Sequence, residues 1–226
     1  MHEKSVRMIS RKLTSKNINI VLDQAILILQ RGGLIAYPTE TFYGIGVRFD
    51  MSASLHRLYW LKRRPRDKAM PVIIGDIGSL SEIVSPEWLG SISSSTQSLM
   101  ERFWPGPLTL LLPARAGLSE YLTAETGTIA VRIPGESFAL RLATRAGFPI
   151  TATSANISGM PPAESAEMVI QYFEDSLDLL IDGGRTAGTL PSTIVDASGD
   201  RIKIVREGIV RTSDLFQENR NNPYRT

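Results

Sequence analysis

Residues 62–68 hold five cations, Lys62, Arg63, Arg64, Arg66 and Lys68, against a single Asp67. A lysine and an arginine two positions apart on an extended segment can grip different oxygens of one polyphosphate, the lysine as a point charge and the arginine as a two-pronged fork. Far downstream, residues 151–159 (Thr-Ala-Thr-Ser-Ala-Asn-Ile-Ser-Gly) place hydroxyls, an amide and main-chain N–H groups in one loop, a composition that suits an anion-binding concavity. Neither stretch belongs to a standard phosphate loop. There is no G-x-x-x-x-G-K-[ST] run, and Gly44-Ile45-Gly46 lacks the third glycine of the dinucleotide fingerprint. An anion site in this chain is therefore expected to be assembled from separated segments. Each stretch also has a purely structural explanation, since cations complement the negative pole at a helix C-terminus and polar residues populate strand-to-helix turns.

Residues 38–46 (Pro-Thr-Glu-Thr-Phe-Tyr-Gly-Ile-Gly) crowd hydroxyls, a carboxylate and bare backbone at a strand end, which fits a ligand site and an ordinary loop alike. Arg132 sits inside the apolar run 129–133, where an arginine needs a carboxylate from a substrate or from the protein; a substrate carboxylate is expected. His56, beside Leu55 and Leu58 in a helical pattern, reads as a packed or surface histidine rather than a base.

Composition narrows the chemistry. Zero cysteines exclude a disulfide framework, a thiolate metal site and a thiol nucleophile, and two histidines argue against a histidine-based zinc site, so no metal-ligating residues are assigned. A net charge of +2 admits an anionic partner but lacks the concentrated basicity of a dedicated nucleic-acid binder. No apolar run reaches membrane-spanning length and residues 1–16 carry no continuous apolar stretch, so a cytoplasmic protein without a membrane partner is expected.

The elements that must position these residues alternate between strand-like and helical apolar periods, which predicts an α/β fold. Helices are expected over 20–30, stopped by Gly32-Gly33, and over 55–61, with Ser52 or Ser54 placed to cap it and Pro65 preventing its continuation beyond Lys62 and Arg64. Further helices are expected toward 103, over 137–146 and over 164–173. Strands are expected over 34–37, 72–74, 108–112, 129–133, 150–153, 179–181, 193–195 and 202–205. Residues 1–15 and 217–226 are polar and expected to fray.

In order along the chain stand Gly32-Gly33-Leu34-Ile35-Ala36-Tyr37-Pro38-Thr39-Glu40-Thr41-Phe42-Tyr43-Gly44, Lys62-Arg63-Arg64-Pro65, Trp104-Pro105-Gly106-Pro107-Leu108-Thr109, Ala130-Val131-Arg132-Ile133-Pro134, Ser154-Ala155-Asn156 and Pro191-Ser192-Thr193-Ile194. These six segments resemble the YrdC family, from about residue 20 to 211. The resemblance implies a twisted mixed parallel and antiparallel sheet flanked by helices, with a basic concave cavity. It also implies threonylcarbamoyl-AMP synthase activity, which makes an adenylate and pyrophosphate from L-threonine, bicarbonate or CO2, and ATP with Mg2+, for threonylcarbamoyladenosine in tRNA.

Carried over by position, the family's lysine, arginine, serine and asparagine tetrad falls on Lys62, Arg64, Ser154 and Asn156; a YciO-like branch lacks that set. Thr39 and Arg132 match positions associated with threonine, while Arg66, Ser192 and Arg206 are expected near the nucleotide. Some members carry a histidine where this chain has Ile73, so no role tied to that side chain transfers. The expected organisation is a flexible extension 1–16, a catalytic domain 17–212 and a tail 213–226, without the extra C-terminal domain of longer members. A tRNA-modifying transferase complex is the implied recipient of the adenylate, and the loop after Gly183-Gly184 is a candidate lid. The alternatives are a non-catalytic module binding double-stranded RNA or tRNA, and an accessory domain of the hydrogenase-maturation type.

Overall fold

The structure, a computed structural model, describes residues 8–188 and 190–216. The first helix, α1 (Ile18–Gln30), buries Val21, Leu22, Ala25 and Leu29 at helical spacing. It ends where Gly32 adopts φ +80: the Gly33 N–H then reaches the Ile28 oxygen at 2.8 Å and the Gly32 N–H the Leu29 oxygen at 3.0 Å, closing a Schellman motif. The turn releases the chain into β2 (Ile35–Pro38), which pairs antiparallel with β3 (Tyr43–Gly46) across the short turn 39–42.

The expected mixed sheet flanked by helices is present, divided into two hydrogen-bonded ladders. The first contains β1 (Ile9–Lys12), β9 (Leu179–Asp182), β2, β3 and β8 (Thr153–Ser154), in that order. The second runs β11 (Lys203–Arg206), β10 (Thr193–Asp196), β5 (Leu108–Pro113), β6 (Thr128–Arg132), β4 (Val72–Ile73) and β7 (Ile150–Thr151). The expected single strand 150–153 is thus two short strands. Ile150 and Thr151 pair with β4, Thr153 and Ser154 pair with β3, and Ala152 is the joint between the sheets.

Strand alternation divides the core. Ile35, Tyr37, Ile73, Leu179 and Ile181 face a cluster closed by α1 and α6 (Phe138–Ala146). The intervening Leu34, Ala36, Val72, Ile74 and Leu180 face a larger cluster with α2 (Ser52–Leu61), α4 (Ser94–Phe103) and α7 (Ala166–Phe173). Short helices α3 (Pro86–Leu89), α5 (Glu120–Thr123) and α8 (Thr212–Leu215) complete the described chain. Leu29 is wholly buried, and truncating such a leucine to alanine costs about 2–5 kcal/mol.

Three local expectations change. Residues 9–12, placed in a flexible extension, form an edge strand parallel to β9, because the β9 backbone supplies partners that a polar four-residue segment cannot reveal by itself. Residues 213–215, placed in a tail, belong to α8, and Leu215 is buried. Residues 1–7 and 217–226 lie outside the described residues. Neither Ser52 nor Ser54 caps α2. Both lie inside the helix, and the Ser54 hydroxyl instead donates to the Gly32 oxygen at 2.7 Å, joining α2 to the end of α1.

Candidate active site

Lys62 is the C-cap of α2, and Arg63 behind it turns with φ +49, closing a second Schellman motif: the Arg63 N–H donates to Trp60 O at 2.9 Å and the Arg64 N–H to Tyr59 O at 3.1 Å. This reversal separates neighbouring side chains. Lys62 turns inward and is 1% exposed, while Arg63 faces solvent. The Lys62 ammonium donates to the main-chain oxygens of Ser154, in a short hydrogen bond, and of Asn156 at 2.6 Å; the Ser158 N–H donates back to Lys62 O at 2.9 Å. Burial and the neighbouring Arg64 charge push the Lys62 pKa from 10.5 down to about 7, and the two carbonyls pull toward the charged form.

Arg64 is similarly engaged with the chain itself. Its guanidinium donates to Ala69 O at 2.6 Å, Lys68 O at 2.8 Å and Thr153 Oγ1 at 3.3 Å, and burial lowers its pKa. The expected pair of free polyphosphate clamps is therefore a pair of cations holding backbone carbonyls, with one ammonium hydrogen of Lys62 left over from its three. Ser154 is exposed, and its hydroxyl donates to Asn156 Oδ1 at 2.5 Å. The Asn156 amide is oriented by donation to Met160 O at 2.6 Å and Ile157 O at 3.0 Å.

The turn 39–42 lies on the same hairpin that pairs Gly44 with Ser154. Thr39 Oγ1 donates to Phe42 O at 2.7 Å and accepts from the Thr41 N–H at 3.1 Å. Glu40, on that turn, accepts from Arg132 Nη1 at 2.8 Å. The expectation that a substrate carboxylate answers Arg132 is thus corrected: the protein carries its own partner. Arg132 closes β6, and at the corresponding ends of β5, β10 and β11 stand Thr109, Ser192 and Arg206. The Thr109 and Ser192 hydroxyls are 2.9 Å apart, and Arg206 donates to Ser192 O at 2.8 Å. Burial, then the Arg132 charge, lower the Arg206 pKa, so these two cations lie within electrostatic reach of each other.

Two clusters result, one around Lys62 and one around Arg132, with the β2–β3 hairpin contributing to both. Among the described residues no hydrogen bond joins Ser192 or Arg206 directly to Lys62 or Asn156. Arg66 is exposed and joins neither. His56 accepts from the Trp60 indole N–H at 2.7 Å on the surface, and Ile73 is buried core. The segment after Gly183 is tied down: Tyr43 Oη donates to Gly184 O at 2.7 Å, and the Gly188 N–H donates to Thr41 O at 2.9 Å. Burial pushes the Tyr43 pKa up to about 12. A 460 Å³ hollow lined by Ser98, Leu99, Asp200, Ile202 and Leu215 shares no residue with either cluster.

Residues 27–208 match the model of the Sua5/YciO/YrdC family, described as "Telomere recombination". The chain belongs to this family. A threonylcarbamoyl-AMP synthase of Bacillus subtilis is 36% identical over 186 residues, 82% of this chain and 52% of that protein, so the chain spans about half the length of this relative. Another of Nitrosococcus oceani is 37% identical over 182 residues, 79% of this chain and 95% of that protein. The solved structure of Pyrococcus abyssi Sua5 complexed with L-threonine superposes with a TM-score of 0.81 at 32% identity, covering 92% of this chain and 59% of the other. The family thus spans both clusters here, from the turn 39–42 through Lys62 and Arg132 to Arg206.

Glu40, Thr109 and Thr153 stand within the segments quoted from the sequence but were given no individual role there. A signal for Glu40 was available: Arg132 requires a buried carboxylate, and Glu40 is the only one in the run 38–46. The inward turn of Lys62 also had one, since it follows the core residues Leu55 and Leu58 by seven and four positions, on their helix face.

Proposed function

We propose that this chain is a threonylcarbamoyl-AMP synthase, a nucleotidyltransferase that joins L-threonine, bicarbonate or CO2, and ATP into the adenylate and pyrophosphate. The observation that carries the reading is the direct contact of Lys62 with Ser154 and Asn156, which gathers with Arg64 the four residues that separate a synthase from a YciO-like relative. The names of the relatives and the threonine held by the Pyrococcus structure agree with it.

The chemistry follows from charge. Threonine's amine, once deprotonated, captures CO2 as a carbamate; a carbamate oxygen attacks the α-phosphorus of ATP, the bond to the β-phosphate oxygen breaks, and pyrophosphate leaves in line. Two anions meet, and the remaining Lys62 donor, Arg64 and Arg206 offset their repulsion. Ser154 and Asn156 hold phosphate oxygens, the Ser154 hydroxyl turning away from Asn156 Oδ1 to do so, while Thr39 and Arg132 hold the amino acid. Mg2+ enters on the phosphates of ATP as part of the substrate. Arg66 and Ser192 are assigned to the nucleotide, and the loop after Gly183-Gly184 to covering the labile carbamate.

The recipient is a separate transferase acting on tRNA, and the location is the cytoplasm; no described helix is long and apolar enough to cross a membrane. The test is incubation with ATP, Mg2+ and bicarbonate, with and without L-threonine. Threonine-dependent pyrophosphate release supports the synthase. Its absence together with binding of double-stranded RNA or tRNA replaces the synthase with the non-catalytic module.

A further inference from the structure

Glu40 is half accounted for. Its Oε1 holds Arg132 Nη1 at 2.8 Å, whereas its Oε2 is buried and accepts no hydrogen bond. A buried charged acceptor without a donor is costly, and native folds retain such groups where a ligand or strain explains them. The side chain has little freedom to seek another partner, because both it and Arg132 are largely enclosed. Tyr37, close to both, already donates to Thr151 O at 3.0 Å.

Backbone without side chains lies beside Glu40. Gly135 faces it, and a Cβ on that glycine would stand 3.3 Å from Glu40 Cγ and 3.6 Å from the Gly106 Cα. Two glycines thus meet beside the carboxylate, and a side chain at Gly135 would crowd it. Arg132 gives only one nitrogen to Glu40, so the rest of its guanidinium remains for a second acceptor. A fixed carboxylate beside a fixed guanidinium complements an α-amino acid, whose ammonium and carboxylate are both attached to one carbon and can lie antiparallel to the protein's pair.

We propose that Glu40 is a substrate-recognition residue, its Oε2 receiving the α-ammonium of the amino acid while Arg132, oriented through Oε1, receives the α-carboxylate. This rests on the synthase reading and extends it to a residue outside the tetrad. It defines the substrate class at this end of the site as an amino acid with a free α-amine, the group that becomes the carbamate.

The experiment is equilibrium binding of L-threonine, 2-aminobutanoate (which lacks the hydroxyl) and 2,3-dihydroxybutanoate (which lacks the amine) to the wild-type chain and to Glu40→Gln and Gly135→Ala, with ATP binding and circular dichroism as checks of the fold. Glu40→Gln is expected to weaken both amine-bearing ligands about 10-fold or more, with the deaminated compound binding wild type and variant equally weakly. Gly135→Ala, whose Cβ would press on the Glu40 side chain, is expected to displace the carboxylate and weaken the amine-bearing ligands more than the deaminated compound, and decides the matter if Glu40→Gln does not fold. A Glu40→Gln penalty that persists for the deaminated compound, or unchanged threonine binding in either folded variant, overturns the role of Glu40 while leaving the synthase reading intact. L-threonine failing to bind the wild-type chain overturns both.

Discussion

Lys62 and Ser154, ninety-two positions apart, are joined by a hydrogen bond from a lysine ammonium to a main-chain oxygen. The lysine therefore sets the loop that carries Ser154 and Asn156, and on the synthase reading its charge acts on the chemistry as well. Lys62→Ala is expected to lower threonine-dependent pyrophosphate release by at least about 100-fold. Lys62→Arg is not expected to restore it, since a planar fork with five donors does not fit an enclosed position between two carbonyls. Near-normal activity in Lys62→Ala would remove this residue from the mechanism.

The buried ammonium also gives stability a pH dependence of known sign. Its folded pKa, about 7, lies below the unfolded 10.5, so between these values the unfolded chain holds a proton that the folded chain has released. Wild-type stability should rise with pH through that window relative to Lys62→Met, by up to about 1.4 kcal/mol per unit. Below about 7 both states are charged, and the difference should be flat. Turnover that needs the charged lysine should fall over the range where stability climbs. Urea midpoints and rates across the window check both; parallel stability curves for the two proteins would contradict the assignment.

Helices α1 and α2 end in the same motif, with Gly32 at φ +80 in one and Arg63 at φ +49 in the other. A side chain in the left-handed region is strained, so Arg63→Gly is expected to stabilise the fold by about 1 kcal/mol, after allowing for the flexibility glycine adds to the unfolded chain. A raised urea midpoint at unchanged slope is the signature. A lower midpoint would mean that the Arg63 side chain makes a stabilising contact.

Asn156→Asp keeps size and shape while replacing the amide that donates to Met160 and Ile157 with an oxygen that repels both carbonyls. A loss of about 1–3 kcal/mol in stability is expected, with activity reduced further than the unfolded fraction explains. Calorimetry and kinetics on the same sample separate the two effects. Equal losses in stability and activity would assign Asn156 to scaffolding alone.

Local signals carried most of the fold. The end of α1 at paired glycines, the end of α2 before Pro65 and the apolar run of β5 all depend on residues adjacent in sequence, and each is where the pattern places it. What depended on a distant partner was hidden. β1 is four mostly polar residues made into a strand by β9, and the division of 150–153 between two sheets follows from where β3 and β4 lie. At the site, residue types pointed to anion chemistry, yet the occupants of Lys62, Arg64 and Arg132 are carbonyls and a carboxylate of the protein itself. Periodicity does not encode such long-range pairings.

Because the inward ammonium finds its acceptors only after more than half the polypeptide has been made, a ribosome-bound fragment ending before residue 154 must leave that charge in water. The α2 exit then lacks the carbonyls that hold its last side chain inward. Ordering of the α2 exit is thereby tied to completion of the scaffold, because Lys62 and the loop 154–158 fix each other only once both have been made.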